Sequence, residues 1–205
     1  VKITRVECIP ISMPLKKPIK LPNVTITRLN TLLLAITADN GLVGYAESGD
    51  TSSWYRGESQ ASMTAMISDV FAPRILLGED PGNIEKIVGM MDQLARDNNQ
   101  AKALVDCALH ELKGKSLGVP VYSLLGGRTR EKIPLGWVLS AGEPEKVAEL
   151  AIQVRDNGFS AFKLKVGRHT FDNDVATVRE VRAALGPDAK ITLDAQMAHG
   201  TTSRR

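Results

Sequence analysis

Ala161-Phe162-Lys163-Leu164-Lys165-Val166-Gly167 is the stretch from which the fold of this chain is read. Apolar and basic residues alternate along it, and β-strand side chains alternate faces with a period of two. Phe162, Leu164 and Val166 therefore share one face, and Lys163 and Lys165 share the other. Residues 132–139 read as a strand before it, and 143–157 as an amphipathic helix with Pro144 in its first turn and Gly158 at its end. Residues 171–185 read as a second helix, stopped by Gly186-Pro187, and 190–195 as a third strand. Strand, helix, strand, helix, strand predicts a parallel sheet with right-handed crossovers. Only three such strands fit after Arg128, whereas a closed (β/α)₈ barrel takes about 250 residues. This part is expected to be a small open sheet or the start of a barrel truncated after its third strand.

Upstream the rhythm differs. Residues 2–10, 30–37 and 42–47 read as strands, the last two joined by the Asp39-Asn40-Gly41 turn. Pro10, Pro14, Pro18 and Pro22 punctuate a basic stretch that reads as a loop, and 49–57 reads as another. Helical stripes follow over 58–77, 83–96 and 99–117; Pro73 is expected to end or bend the first, and Gly118 and Pro120 to stop the third. Strands first and helices after predict an α+β unit over 1–128, closed by Gly126-Gly127, with 129–205 as the second domain.

Composition sets the remaining bounds. The 205 residues carry 26 Lys+Arg against 23 Asp+Glu, a net charge of +3 that is too small to argue for nucleic acid. The longest aliphatic run, 32–36, falls far short of the roughly 20 apolar residues that span a bilayer. No membrane association is expected. No apolar signal region opens the chain, and two distant cysteines, Cys8 and Cys107, are expected to sit reduced in a core, which together favour a cytoplasmic setting.

Three residues draw attention as chemistry. Lys163 and Lys165 stand at the C-terminal end of a strand, where folds of this kind place their sites. A solvated K-x-K strand is the plain alternative; the flanking helices argue against it, because parallel strands are normally covered on both faces. On the third strand, Thr192, Asp194 and Gln196 share a face, so Asp194 lies at the same end. Its carboxylate suits a hard cation such as Mg²⁺, an anchor for the next turn, or an ion pair with the lysines. Lysine is ordinarily protonated at neutral pH, but a neighbouring ammonium and a divalent cation both disfavour its charged form. One lysine can then remove a proton next to a carboxylate while the other holds negative charge and the cation stabilises the enediolate. His169 follows the K-x-K strand and is a weaker candidate; His110 reads as a helix-face residue.

The segments NTLLLAITADNGLVGYAES, ALVDCALHELKGKSLGVPVYSLLGG, FKLKVG and ITLDAQ together resemble the mandelate racemase/muconate lactonizing enzyme group of the enolase superfamily. Enolase-superfamily sites are known to pair a Lys or His base with Mg²⁺. The resemblance implies an N-terminal α+β capping domain followed by a (β/α) TIM-type barrel, of which about the first three βα units are present. It implies a Mg²⁺-dependent isomerase acting on a small-molecule carboxylate, muconate cycloisomerase-like by FKLKVG and WVLSAG. Racemase, epimerase or acid-sugar dehydratase chemistry, or a truncated non-catalytic fragment, are the alternatives. It makes Lys165 the acid/base, Lys163 its electrostatic partner on the substrate carboxylate, and Asp194 the first of three Mg²⁺ ligands. The loops 15–24 and 49–55 become the cap over the site, with Lys20, Trp54 and Tyr55 as substrate contacts. A homo-oligomer is expected. Gln196 departs from the Asn usual after the metal Asp, and the chain stops before the strands that would carry the other two ligands and the second acid/base.

Overall fold

The computed structural model describes residues 1–20, 25–49 and 57–195, with Lys20 described in its backbone alone. The chain divides into two compact units, Val1–Arg128 and Thr129–Arg205.

The first unit opens with β1 (Ile3–Lys20), β2 (Thr25–Ala38) and β3 (Val43–Glu47), an antiparallel sheet in that order. Alternation along β2 buries Leu32, Leu34, Ile36 and Ala38 against the helices. β1 is longer than the sequence predicts, and this corrects the loop expected from Pro10 as far as Lys20; Pro22 lies outside the described residues. Pro10 lies opposite Leu32, whose N–H and C=O are both engaged on the β3 side by Ser48. The Pro10 nitrogen therefore falls on the open edge of the sheet, where a missing N–H breaks no ladder bond.

Helix α1 (Gln60–Ala65) starts at Ser59 with a reciprocal capping box to Ser62. Pro73 does not end the helix there. The chain continues as a π-helix over Met66–Leu76, whose last bond runs from Leu77 N–H to the Ala72 carbonyl. The wider π turn absorbs the proline within one continuous element. It buries Ile67, Phe71, Ile75 and Leu76.

Helices α2 (Ile84–Leu94), α3 (Asn99–Leu117) and α4 (Val121–Leu124) complete the unit. The start of α3 is capped from a distance: buried Glu58 accepts from Gln100 N–H at 2.7 Å and from Ala101 N–H at 3.3 Å. A carboxylate there answers both the orphan N–H groups and the positive end of the helix dipole. α3 ends at Gly118 in the left-handed region (φ 67°), as its sequence predicts. It packs against β3, and at Gly44 the two elements come so close that a β-carbon would lie 2.1 Å from the Ala108 carbonyl oxygen. Along the outer edge of β3, Lys115 Nζ donates to the Val43 carbonyl at 2.7 Å, and Glu111 accepts from Tyr45 N–H. Cys8 is half-buried, but Cys107 is exposed, because it lies on the side of α3 away from Leu104, Val105, Ala108 and Leu112.

The second unit holds β4 (Gly136–Leu139), α5 (Pro144–Asp156), β5 (Ala161–Lys165), α6 (Phe171–Leu185) and β6 (Lys190–Asp194). The three strands are parallel in the order β4-β5-β6. Leu139, Phe162 and Leu164 are buried with Val147, Ala151, Val154 and Val181 of the two helices. Both helices thus lie on one face, as right-handed crossovers between neighbouring strands require. Within the second unit these two helices cover the face opposite the lysines. No described helix is long and apolar enough to cross a membrane.

Candidate functional site

The site is built by strand register. Lys165 pairs with Asp194 across the parallel β5–β6 ladder, and Lys163 lies one same-face step back, opposite Thr192. The residues between them, Leu164 and Leu193, point to the other face. Lys165 Nζ donates to Asp194 Oδ2 at 2.9 Å, and Lys163 Nζ lies 3.4 Å from the same oxygen. Two amines and one carboxylate therefore converge at the C-terminal mouth of the sheet. Their side chains differ in exposure: 21% for Lys165, 22% for Asp194 and 50% for Lys163. The lysine nearer the mouth is the better sheltered.

The hydrogen bond from Lys165, joined by that from Lys163 and by both positive charges, holds the Asp194 carboxyl below the usual carboxylate range. Partial desolvation acts in the opposite sense and is outweighed. Asp194 is an ionised oxygen donor at neutral pH. Val166 N–H donates to the Asp194 carbonyl at 3.1 Å, extending the ladder one step beyond the lysine. Gly167 then turns the chain in the left-handed region (φ 83°).

Two residues at this mouth carried no signal in the sequence reading. Ser140, the residue after β4, shares by alternation the face of Val138 and Lys163, and it is exposed. Continuing the period of two past the end of the first strand would have found it. Asp174 in the first turn of α6 accepts from Gly167 N–H at 2.7 Å, a pairing across seven residues that no local pattern announces. His169 lies exposed on the turn before α6, and His110 Nδ1 sits 3.0 Å from the Asp106 carbonyl oxygen on its own helix. The backbone of Lys20 pairs with Thr25 at the end of β1. Trp54, Tyr55 and Gln196 lie outside the described residues.

Asp194 is the one carboxylate in this cluster, and its Oδ2 already receives two ammonium groups. Among the described residues no three His, Cys, Asp or Glu side chains gather closely enough to hold a metal ion. Mg²⁺ asks for an octahedral shell of oxygens. The described residues alone do not furnish that shell; they offer one ligand toward it.

The sequence pattern of the mandelate racemase/muconate lactonizing enzyme N-terminal domain matches residues 3–126, more than half of the chain. The chain belongs to this family. The pattern described as enolase C-terminal domain-like matches residues 146–205. Among curated family relatives, N-succinyl-L-Arg/Lys racemase of Bacillus cereus is 35% identical over 94% of this chain and 52% of its own length. Muconate cycloisomerase 1-1 of Acinetobacter lwoffii is 32% identical over 98% of this chain and 54% of its own. Among solved structures, a family protein from an Azoarcus species is 58% identical, with TM-score 0.81 over 95% of this chain and 48% of that one. Dipeptide epimerase of Enterococcus faecalis, complexed with Mg and L-Leu-L-Tyr, is 32% identical, with TM-score 0.87 over 97% of this chain and 55% of that one. The chain spans about half the length of the curated relatives it matches. The capping sheet followed by parallel βα units is the family's architecture, present here as part of a barrel.

Proposed function

We propose that the whole protein is a carboxylate isomerase that moves the proton on the carbon next to a substrate carboxylate, with Lys165 as the acid/base. The observation that carries this reading is the convergence of both lysines on Asp194 at the mouth of the parallel strands, within 3.4 Å. Lys165, in its amine form, takes the proton from the α-carbon and becomes an ammonium; the electron pair of the broken C–H bond passes to the carboxylate as an enediolate. Lys163, more exposed and one step below, binds a substrate carboxylate oxygen and holds the charge that develops there. Ser140, on the same face, contributes a hydroxyl to substrate orientation.

Asp194 is the residue of this chain that would hold Mg²⁺, as part of a shell whose other oxygens lie outside the described residues. When bound there, a divalent cation supplies Lewis-acid stabilisation of negative charge.

Muconate cycloisomerase-like chemistry is the first reading, supported by relatives of that activity at about a third identity. Racemisation or epimerisation is the second, supported by the Bacillus cereus racemase at 35% identity. Both begin or end with the same proton transfer. Lys20, Trp54 and Tyr55 remain proposed substrate contacts of the cap, and a cytoplasmic homo-oligomer completes the proposal, the assembly being checked by sedimentation.

The experiment is exchange of the substrate α-hydrogen in D₂O with Mg²⁺, followed by NMR. Muconolactone, N-succinyl amino acids and dipeptides are offered in turn to the whole protein and to its Lys165→Ala variant. Exchange abolished in the variant supports the assignment, and the substrate that exchanges chooses between cycloisomerase and racemase. Equal exchange in both proteins removes Lys165 from the mechanism.

A further inference from the structure

Lys165 is the last residue of β5, and its useful direction depends on how the chain leaves the strand. Val166 is bonded to the Asp194 carbonyl, and Gly167 turns away at positive φ. A glycine turn is the least self-supporting piece of backbone, because it has the most conformations to lose. Here it is pinned: the Asp174 carboxylate accepts the Gly167 N–H at 2.7 Å. A hydrogen bond to an ionised acceptor is roughly twice as strong as a neutral one, and the first turn of a helix is where a carboxylate is favoured. The neighbouring Asn173 donates from Nδ2 to the Gly142 carbonyl at 3.4 Å, in the loop that follows β4. Thr170 caps this turn by accepting Asn173 N–H. The first turn of α6 thus braces two of the loops at the mouth of the sheet.

We propose that Asp174 is a positioning residue for Lys165: by holding Gly167 it fixes the end of β5 and hence the reach of the amine. This rests on the reading of Lys165 as the acid/base. Asp174 meets the backbone N–H of Gly167, two residues past Lys165, so its effect on the amine passes through the backbone. A displacement of about 1 Å at a reacting group can cost up to a hundredfold in rate.

The test compares Asp174→Ala, Asp174→Asn and Asp172→Ala in the whole protein. Asp172 is the other acid of the same helical turn and is exposed, so its loss removes the same helix-end charge without touching Gly167. The α-exchange assay is expected to give a kcat lowered about tenfold or more in Asp174→Ala, with KM within about twofold. Asp174→Asn keeps an acceptor oxygen and is expected to fall between wild type and alanine, which keeps the claim testable should the alanine variant not fold. Asp172→Ala is expected to stay near wild type. A second readout is independent of turnover: amide hydrogen exchange at Val166 and Gly167 is expected to quicken in Asp174→Ala and not in Asp172→Ala. Unchanged kcat in the Asp174 variants, or an equal fall in Asp172→Ala, overturns the proposal. Should the wild type exchange no substrate proton, the function reading fails by itself. The Val166 and Gly167 amides then decide the brace, and their undiminished protection in Asp174→Ala overturns it.

Discussion

Replacing Gly44 by alanine puts a methyl group where no space exists. The new carbon would lie 2.1 Å from the Ala108 carbonyl oxygen, 2.7 Å from Leu112 Cβ and 3.0 Å from Leu112 N. The first two obstacles are helix backbone and a β-carbon, neither of which can swing aside. A carbon beside a carbonyl oxygen needs about 3.3 Å, so β3 and α3 must part by about 1 Å at this point. Parting them loosens Ala108, Leu109 and Leu112, all buried in the main cluster of the first unit. Overpacking of this kind costs about 1–3 kcal/mol and occasionally more, and a clash against rigid backbone belongs at the upper end, about 3 kcal/mol. That is a large share of the roughly 5–15 kcal/mol that holds a domain together. Urea unfolding followed by far-ultraviolet circular dichroism measures it, with the midpoint falling at unchanged slope. Gly89→Ala is the matched control. Gly89 lies inside α2 with nothing within 4 Å of a new methyl group, so the same chemical change there is expected to stabilise by about 0.5–1 kcal/mol. A Gly44→Ala protein within about 1 kcal/mol of wild type would refute the close seating of α3 on β3.

Three further outcomes are expected. Asp194 has its pKa lowered in the folded protein, so the stability it contributes is present above the ordinary aspartate range near 3.9 and is lost as pH falls through the lower folded value; Asp194→Asn should flatten the pH dependence of the urea midpoint in that window. Glu58→Ala removes both acceptors at the start of α3 and should cost about 1–2 kcal/mol by the same unfolding assay, with a drop below about 0.3 kcal/mol refuting its capping role. Burial pushes the Cys8 thiol up, so its alkylation at pH 8 should be slower than that of a free thiol and become ordinary in denaturant; equal rates before and after unfolding would contradict its packing from β1 against the core.

The parts of this fold legible in sequence were those set by short periods. An alternation of two places Lys163 and Lys165 on one face whatever surrounds them, and Asp194 follows from the same count on its own strand. The C-terminal end of helix α3 was legible, because Gly118 and Pro120 are strong local stops. What failed to show depended on partners distant in the chain. Pro10 reads as a strand breaker until its strand is known to be an edge with register opposite Leu32. Pro73 reads as a helix end until the helix is known to widen around it. Glu58 reaches α3 across more than forty residues, and Asp174 reaches Gly167 across a turn, so neither pairing leaves a periodic trace. The substrate contacts proposed for Lys20, Trp54 and Tyr55 rest on resemblance alone and not on any pattern in the sequence.

The bonds from α3 to the rim of β3 have a consequence for how the first unit meets its surroundings. Residues four apart on a helix rise about 6 Å, close to the roughly 6.8 Å between alternate residues of a strand. Glu111 and Lys115 therefore match the rungs at Tyr45 and Val43 that a fourth strand would otherwise occupy. A helix here impersonates a strand, and the ladder terminates against side chains instead of standing ready to recruit a stranger's backbone.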